Sequence, residues 1–231
     1  MREFVLLTTR KATNARVVNH AGVKIAIDDY LSPAVIHNIL NGRYERTEVT
    51  GIRRLLKPDD VVLELGAGIG FVSLFCAKMI GADRVFAFEA NPALEPHIRR
   101  NYDLNNLHPK LEICILGDRD GQADFFVTKD LWGSSMFRPK SDAEQVSVPV
   151  RSLNEVIARV KPTFLIMDIE GGEHDIIQGI DFQTIRKVAI EVHPPIIGDD
   201  KVRFVERKLL DAGFVVDHGG SGWRQLVATK P

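Results

Sequence analysis

Val61-Val62-Leu63-Glu64-Leu65-Gly66-Ala67-Gly68-Ile69-Gly70-Phe71 is the stretch that decides the fold. Its near-continuous apolar run, preceded by the breaker Lys57-Pro58-Asp59-Asp60, reads as a strand buried on both faces of a parallel sheet. The glycines behind it read as a strand-to-helix turn. Lacking Cβ atoms, they let the backbone approach a ligand closely, and the helix that follows offers N–H groups at its N-terminus. The third glycine comes one place too early for G-x-G-x-x-G, whose last position falls on Phe71 instead of a small residue. That counts against a nicotinamide dinucleotide. Glu89 closes the next apolar run 23 residues after Gly66, about the spacing at which a carboxylate accepts hydrogen bonds from ribose hydroxyls. The pair points to an adenosine ligand without a pyrophosphate, and Glu64 is placed to help hold a cationic amino-acid portion of it.

Outward from this point, strands and helices alternate. Helix Phe71 to Ile80 is followed by strand Val85 to Glu89, a helix from Ala93 to Leu104, and strand Leu111 to Leu116. This order is doubly wound α/β. Gly117 to Gly121 turns into an added strand, Gln122 to Val127, and Val146, Val148 and Val150 alternate in another. Ser152 with Glu155 reads as a capping box, after which Phe164 to Asp168 and Val188 to His193 resume the sheet. Helix Lys201 to Leu210 ends at Gly213, and Phe214 to Asp217 with Trp223 to Thr229 reads as a closing antiparallel hairpin. Upstream, Val17-Val18 and Val23, Ile25 and Ile27 predict a hairpin. Ser32-Pro33 opens one helix, and Val49, Ile52, Leu55 and Leu56 mark a second. Residues 1–57 are thus expected as a hairpin and helices packing on a core domain of residues 58–231.

Composition excludes several classes. The chain has 231 residues, 45% of them hydrophobic, and carries 30 Lys plus Arg against 31 Asp plus Glu, so it holds a real core and no global field for nucleic acid or anionic lipid. The longest uncharged stretches are too short to span a bilayer, and the polar N-terminus does not develop a signal-peptide core. A cytoplasmic protein is expected, with Cys76 and Cys114 as buried hydrophobes. Edges in the hairpin and added strands leave an oligomer open.

The chain resembles the Rossmann-like S-adenosylmethionine-dependent methyltransferases, and within them the FkbM type, over roughly residues 15 to 230. The resemblance rests on Val61 to Gly70, on Phe88-Glu89-Ala90-Asn91-Pro92, and on Met167-Asp168-Ile169-Glu170-Gly171-Gly172-Glu173. The last of these, Asp-x-Glu-Gly-x-Glu after the fourth core strand, is the most specific, and Asn41-Gly42-Arg43-Tyr44-Glu45 is similar to the family's pre-core segment. The resemblance implies a seven-stranded sheet with the last strand antiparallel, S-adenosyl-L-methionine as cofactor, and methyl transfer, most often to a hydroxyl of a small acceptor such as a sugar. It places Glu64, Gly66, Ala67, Gly68, Glu89, Ala90 and Asn91 at the cofactor. One departure stands out: Ile113-Cys114-Ile115-Leu116 replaces the small polar stretch usual at the end of the third strand. Asp118, just beyond, is then the candidate adenine contact.

The reacting groups belong at the carboxyl ends of the central strands. Asp168 and Glu170 are two apart, and side chains two apart on a persisting strand point the same way; Glu191 and His193 repeat that spacing. Methyl transfer from a sulfonium is an in-line displacement, so the protein aligns the acceptor and helps remove its proton. Asp168 is assigned to positioning, and His193 or Glu170 to proton acceptance, since histidine starts near a pKa of about 6.5. Plainer readings stand beside these: Glu173 as a helix N-terminal charge, His193 as a structural histidine before Pro194-Pro195, and Ser134 and Ser135 near Trp132 as loop residues. No metal ligand set is expected. The rival functions are a metal-assisted catechol-type enzyme using Asp168, Glu170 and Glu191, and a non-catalytic binding module.

Overall fold

A computed structural model describes residues 16–128, 143–217 and 224–231. Trp132, Ser134, Ser135 and the Gly219 to Gly222 turn lie outside the described residues. The central sheet is built from β3 (Val62–Leu65), β4 (Val85–Glu89), β5 (Lys110–Ile113), β9 (Phe164–Met167), β10 (Lys187–Glu191), β11 (Val215–Val216) and β12 (Gln225–Thr229). Its order is β11-β12-β10-β9-β3-β4-β5, parallel from β10 to β5, with β12 antiparallel to both neighbours. The last strand is therefore antiparallel, as expected.

Alternation of side chains divides the core into two layers. On β3 and β9, Val62, Phe164 and Ile166 face one layer while Leu63, Leu65, Leu165 and Met167 face the other. The first layer is covered by the hairpin β1 (Val17–His20) and β2 (Val23–Ala26) and by four helices: α1 (Pro33–Leu40), α2 (Arg46–Leu55), α3 (Phe71–Ile80) and α4 (Glu95–Asn105). The second is covered by α5 (Leu153–Val160), α6 (Glu173–Gly179) and, beyond the short α7 (Pro194–Ile197), α8 (Asp199–Asp211). No helix among the described residues is long and apolar enough to cross a membrane.

Two local readings are corrected. The single strand expected over Leu111 to Leu116 breaks at Cys114, whose N–H donates to the Glu89 carbonyl at 2.9 Å. The chain then leaves the central sheet as β6 (Ile115–Gly117) and pairs with β8 (Glu144–Ser152), which also pairs with β7 (Gly121–Val127). Ile115, Phe125 and Val148 give this three-stranded sheet its own small core. At α5, Ser152 Oγ accepts from Glu155 N, but the reciprocal half of the capping box is absent. The Ser152 N–H donates instead to Asp120 Oδ1 at 2.7 Å, so Asp120 from the preceding turn does what Glu155 was expected to do.

Candidate active site

Strand β3 has β4 on one side and β9 on the other, with connections running in opposite directions. This is the switch point where open α/β sheets form a ligand crevice. A cavity opens there at the carboxyl ends of the strands, and Glu64, Gly66, Ala67, Gly68, Glu89, Ala90 and Asn91 all line it, as do Asp168, Glu170 and Glu191.

The glycine loop is held differently from the sequence reading. Its amides are spent inside the protein: Gly66 N and Ala67 N both donate to the Phe88 carbonyl, at 2.9 and 3.1 Å, and Gly70 N to the Ala67 carbonyl at 2.8 Å. Gly68 N donates to Glu89 Oε2 at 2.8 Å. A loop so engaged is no phosphate nest, in keeping with a ligand lacking pyrophosphate. What the glycines supply is room. A Cβ on Gly66, whose φ is +85°, would stand 1.8 Å from the Asp168 carbonyl oxygen. One on Gly70 would meet Ile98 and Tyr102 of α4 at 2.8 and 2.9 Å, so the third glycine serves helix packing.

Glu89 is 7% exposed and anchors this wall, with Oε2 on Gly68 N and Oε1 accepting from Asn91 N at 2.8 Å. Burial raises its pKa while these backbone bonds oppose the rise. Each oxygen keeps lone-pair capacity for a further donor. Asn91 caps the turn that follows by accepting from Ala93 N. Below the loop, Glu64 is 1% exposed; burial pushes its pKa up to about 8, with Ser73 alongside opposing the rise, and its Oε2 has no hydrogen-bond partner. Asp118 is the exception. It is exposed on the bend after β6 and is not part of the lining. The break at Cys114 turns the chain away, and Cys114, Ile115 and Leu116 form that part of the wall instead.

The opposite wall gathers the predicted reacting groups by a route the spacing did not show. Strand β9 ends at Met167, so Asp168 and Glu170 do not share a strand face. They converge through His193, whose Nε2 lies 3.7 Å from Asp168 Oδ1, 3.4 Å from Glu170 Oε2 and 3.7 Å from Glu191 Oε1. Its Nδ1 contacts Glu173, which is fully buried at the start of α6. Burial alone would lower the histidine pKa, but the Glu173 bond and the charges of Glu170 and Asp168 outweigh it and raise the value to about 9. His193 is therefore an imidazolium near neutrality, not the base titrating at 6 to 7 that an ordinary histidine supplies. Asp168 Oδ1 is buried without a hydrogen-bond partner, and desolvation, Glu191 and Glu170 drive its pKa well above the usual carboxylate range despite His193.

The same geometry bears on the metal-assisted rival. The point on which Asp168, Glu170 and Glu191 converge holds the ring nitrogen of His193. Among the described residues, no set of His, Cys, Asp or Glu side chains is arranged to hold a metal ion. Sequence reasoning missed Glu48 and Gln225, which also line the cavity, and took Tyr44 and Glu45 only as part of a family-like segment. Glu45 and Glu48, three apart at the start of α2, carried a helical-face signal; Gln225 becomes visible only once β12 is paired with β10.

This sheet order, loop and crevice define the Rossmann-like methyltransferase class. In fold, the chain is similar to a precorrin-6y C5,15-methyltransferase from Geobacter metallireducens, with a TM-score of 0.53 at 17% identity, covering 90% of this chain and 98% of that one. It is similar also to a methyltransferase from Pyrococcus furiosus, with a TM-score of 0.52 at 13% identity, covering 99% and 98%. Residues 64–216 match the model of the Methyltransferase FkbM domain, and the chain belongs to that family. Among curated relatives, Methyltransferase 1 of Beauveria bassiana is 25% identical over 189 residues, 69% of this chain and 74% of that protein. The 31-O-demethyl-FK506 methyltransferase FkbM of Streptomyces tacrolimicus is 25% identical over 174 residues, 60% and 67%.

Proposed function

We propose that the protein transfers a methyl group from S-adenosylmethionine to a hydroxyl oxygen of a small molecule. The observation that carries this reading is Asp168: a buried carboxyl oxygen without a hydrogen-bond partner, beside the glycine loop at the switch point of the sheet. The residues present suit the cofactor. Glu89 keeps acceptor capacity for ribose hydroxyls, Ala90, Cys114, Ile115 and Leu116 offer a largely apolar wall for a purine, and the orphaned oxygen of Glu64 suits an ammonium. When bound, S-adenosylmethionine supplies a methyl group on a sulfonium, a good leaving group.

The chain's own part is alignment and proton removal. As the new C–O bond forms, the acceptor's hydroxyl proton passes to Asp168, whose raised pKa makes it a stronger base than an ordinary carboxylate. His193, already carrying its proton, holds Glu170 and Asp168 in place and offsets their charge. It is a positioning residue, and Glu173 in turn fixes its ring.

The test is calorimetry with S-adenosylhomocysteine, followed by turnover to S-adenosylhomocysteine with a panel of hydroxylated acceptors. Micromolar binding is expected, on the order of −8 kcal/mol. A protein that binds neither cofactor form ends the reading, and one that binds but shows methyl only on nitrogen removes the hydroxyl assignment. Turnover is expected to survive exhaustive chelation; loss restored by magnesium would favour the metal-assisted rival.

A further inference from the structure

On the side of α2, β10 and β12, the cavity carries a set of acceptors that proton removal by Asp168 does not use. Glu45, Glu48, Glu191 and Gln225 line it there, and among the described lining residues there is no lysine or arginine. Gln225 lies opposite Glu191 in the β10–β12 register, is 4% exposed, and its Oε1 is buried without a hydrogen-bond partner. Glu48 stands beside Glu191, and the two acidic side chains face the cavity together. Glu45 adopts φ 48°, a left-handed conformation uncommon outside glycine, and its side chain makes no capping bond to α2. That turn is fixed by its neighbour: the Tyr44 carbonyl accepts from His20 Nε2 at 2.7 Å, and the Tyr44 ring packs against Phe71.

We infer that this wall is a cation subsite for the methyl acceptor, which carries a protonated amine beside its hydroxyl. The inference rests on the methyltransferase reading and names the substrate class for it. Carboxyls and a buried amide oxygen that lacks a hydrogen-bond partner match an ammonium, which presents three N–H donors and no acceptor. A neutral polyol would bring no positive charge to these acidic groups. Burial and the neighbouring Glu48 raise the Glu191 pKa to about 7, and burial with Asp168 raises that of Glu45 well above the usual range. A bound cation reverses both effects. An ammonium held by acceptors keeps its proton and has no lone pair to receive a methyl group, so the amine is the handle and the hydroxyl the acceptor.

The experiment loads the full chain with S-adenosylhomocysteine and equilibrates it with a mixture of small amino alcohols and amino sugars, each accompanied by its N-acetyl twin. Retained compounds are read by mass spectrometry. Amines are expected to be retained over their neutral twins by about tenfold or more, as for loss of a charge-assisted hydrogen bond. Glu48→Gln and Gln225→Ala should each erase most of that preference, while calorimetry with S-adenosylhomocysteine and the unfolding midpoint stay near wild type. Equal retention of the N-acetyl twins, or retention of no amine, overturns the subsite. So does loss of S-adenosylhomocysteine affinity in Glu48→Gln, because the wall then serves the cofactor. A wild-type chain that fails to bind S-adenosylhomocysteine defeats the methyltransferase reading itself.

Discussion

The two walls of the cavity treat their polar groups in opposite ways. On the wall made by the glycine loop and the end of β4, Gly66, Ala67, Gly68 and Gly70 donate to the protein itself, and both oxygens of Glu89 accept from backbone amides, with Glu64 Oε2 below the loop as the exception. On the wall made by β9, β10, β12 and the start of α2, Asp168 and Gln225 each keep a buried oxygen without a hydrogen-bond partner, and Glu45, Asp168 and Glu191 crowd together with raised pKa values. Buried polar groups without partners cost folding energy, so a fold retains them where a ligand will complete them. The first wall holds a shape, and the second waits for charge.

The largest effect should come from breaking the point where the walls meet. Gly66→Ala sets a Cβ 1.8 Å from the Asp168 carbonyl at a φ of +85°. Left-handed strain plus overpacking should cost roughly 3 to 5 kcal/mol. Chemical denaturation measures it, with Gly81→Ala as control: its φ is +92° but nothing lies within 4 Å of the added carbon. Equal losses in the two variants would mean that backbone strain alone matters and that the walls do not lean on each other here.

Next is Asp168→Asn, which keeps shape and removes the proposed base. Single-turnover methyl transfer should fall by roughly a hundredfold to a thousandfold. Stability should hold or rise, since a repelling charge leaves the second wall. A full rate would move proton removal elsewhere. On the first wall, Glu89→Ala removes the acceptor of two backbone donors, Gly68 N and Asn91 N. S-adenosylhomocysteine affinity in calorimetry should weaken by roughly 1.5 to 3 kcal/mol, the range for hydrogen bonds to a charged group. Unchanged affinity would reduce Glu89 to a loop anchor.

How much of this was legible follows from the range of each cause. The glycine loop, Glu89 and the alternating elements are local patterns, and the doubly wound class and the cofactor residues from Glu64 to Asn91 came with them; the seven strands and the antiparallel last one came with the family resemblance. The break at Cys114 was not legible, because Ile113 to Leu116 is uniformly apolar and only the pairing of β6 with β8 divides it. Nor was the charge state of His193, which depends on Glu173 and Glu170 across a turn and on Asp168 beyond them. Gln225 needed a register between strands distant in sequence.

The charge imbalance also sets a pH dependence. Glu191 at about 7 and Glu64 at about 8 hold protons in the folded chain that an unfolded chain, with glutamate near about 4.3, has released. Between those values the native state binds more protons, so stability falls as pH rises. His193 has the same sign: its contribution is present below the unfolded value of about 6.5 and is lost as pH rises through about 9. The melting temperature should therefore drop by roughly 5 °C or more from pH 6 to pH 9, with Glu191→Gln flattening part of the slope. A melting temperature that climbs over this range would show the second wall to be compensated in a way the geometry does not contain.

The smallest expected effect marks where the first wall ends. Asp118 follows Leu116 by two residues, and Leu116 lines the cavity, yet the side chain at 118 stands exposed on the far side of the bend. The cause lies upstream. Once Cys114 N has donated to the Glu89 carbonyl, the chain leaves β5 and takes its pairing from β8, with Ile115 opposite Val150 and Gly117 opposite Ser152. That pairing carries Asp118 toward the turn whose Asp120 caps α5, away from the crevice. Asp118→Ala should then leave S-adenosylhomocysteine affinity and stability within about 0.5 kcal/mol of wild type, as for an exposed site without partners in the cavity. A tenfold loss of affinity in calorimetry would mean that this bend folds over the ligand, and the boundary between the satisfied wall and solvent would have to be drawn beyond β6.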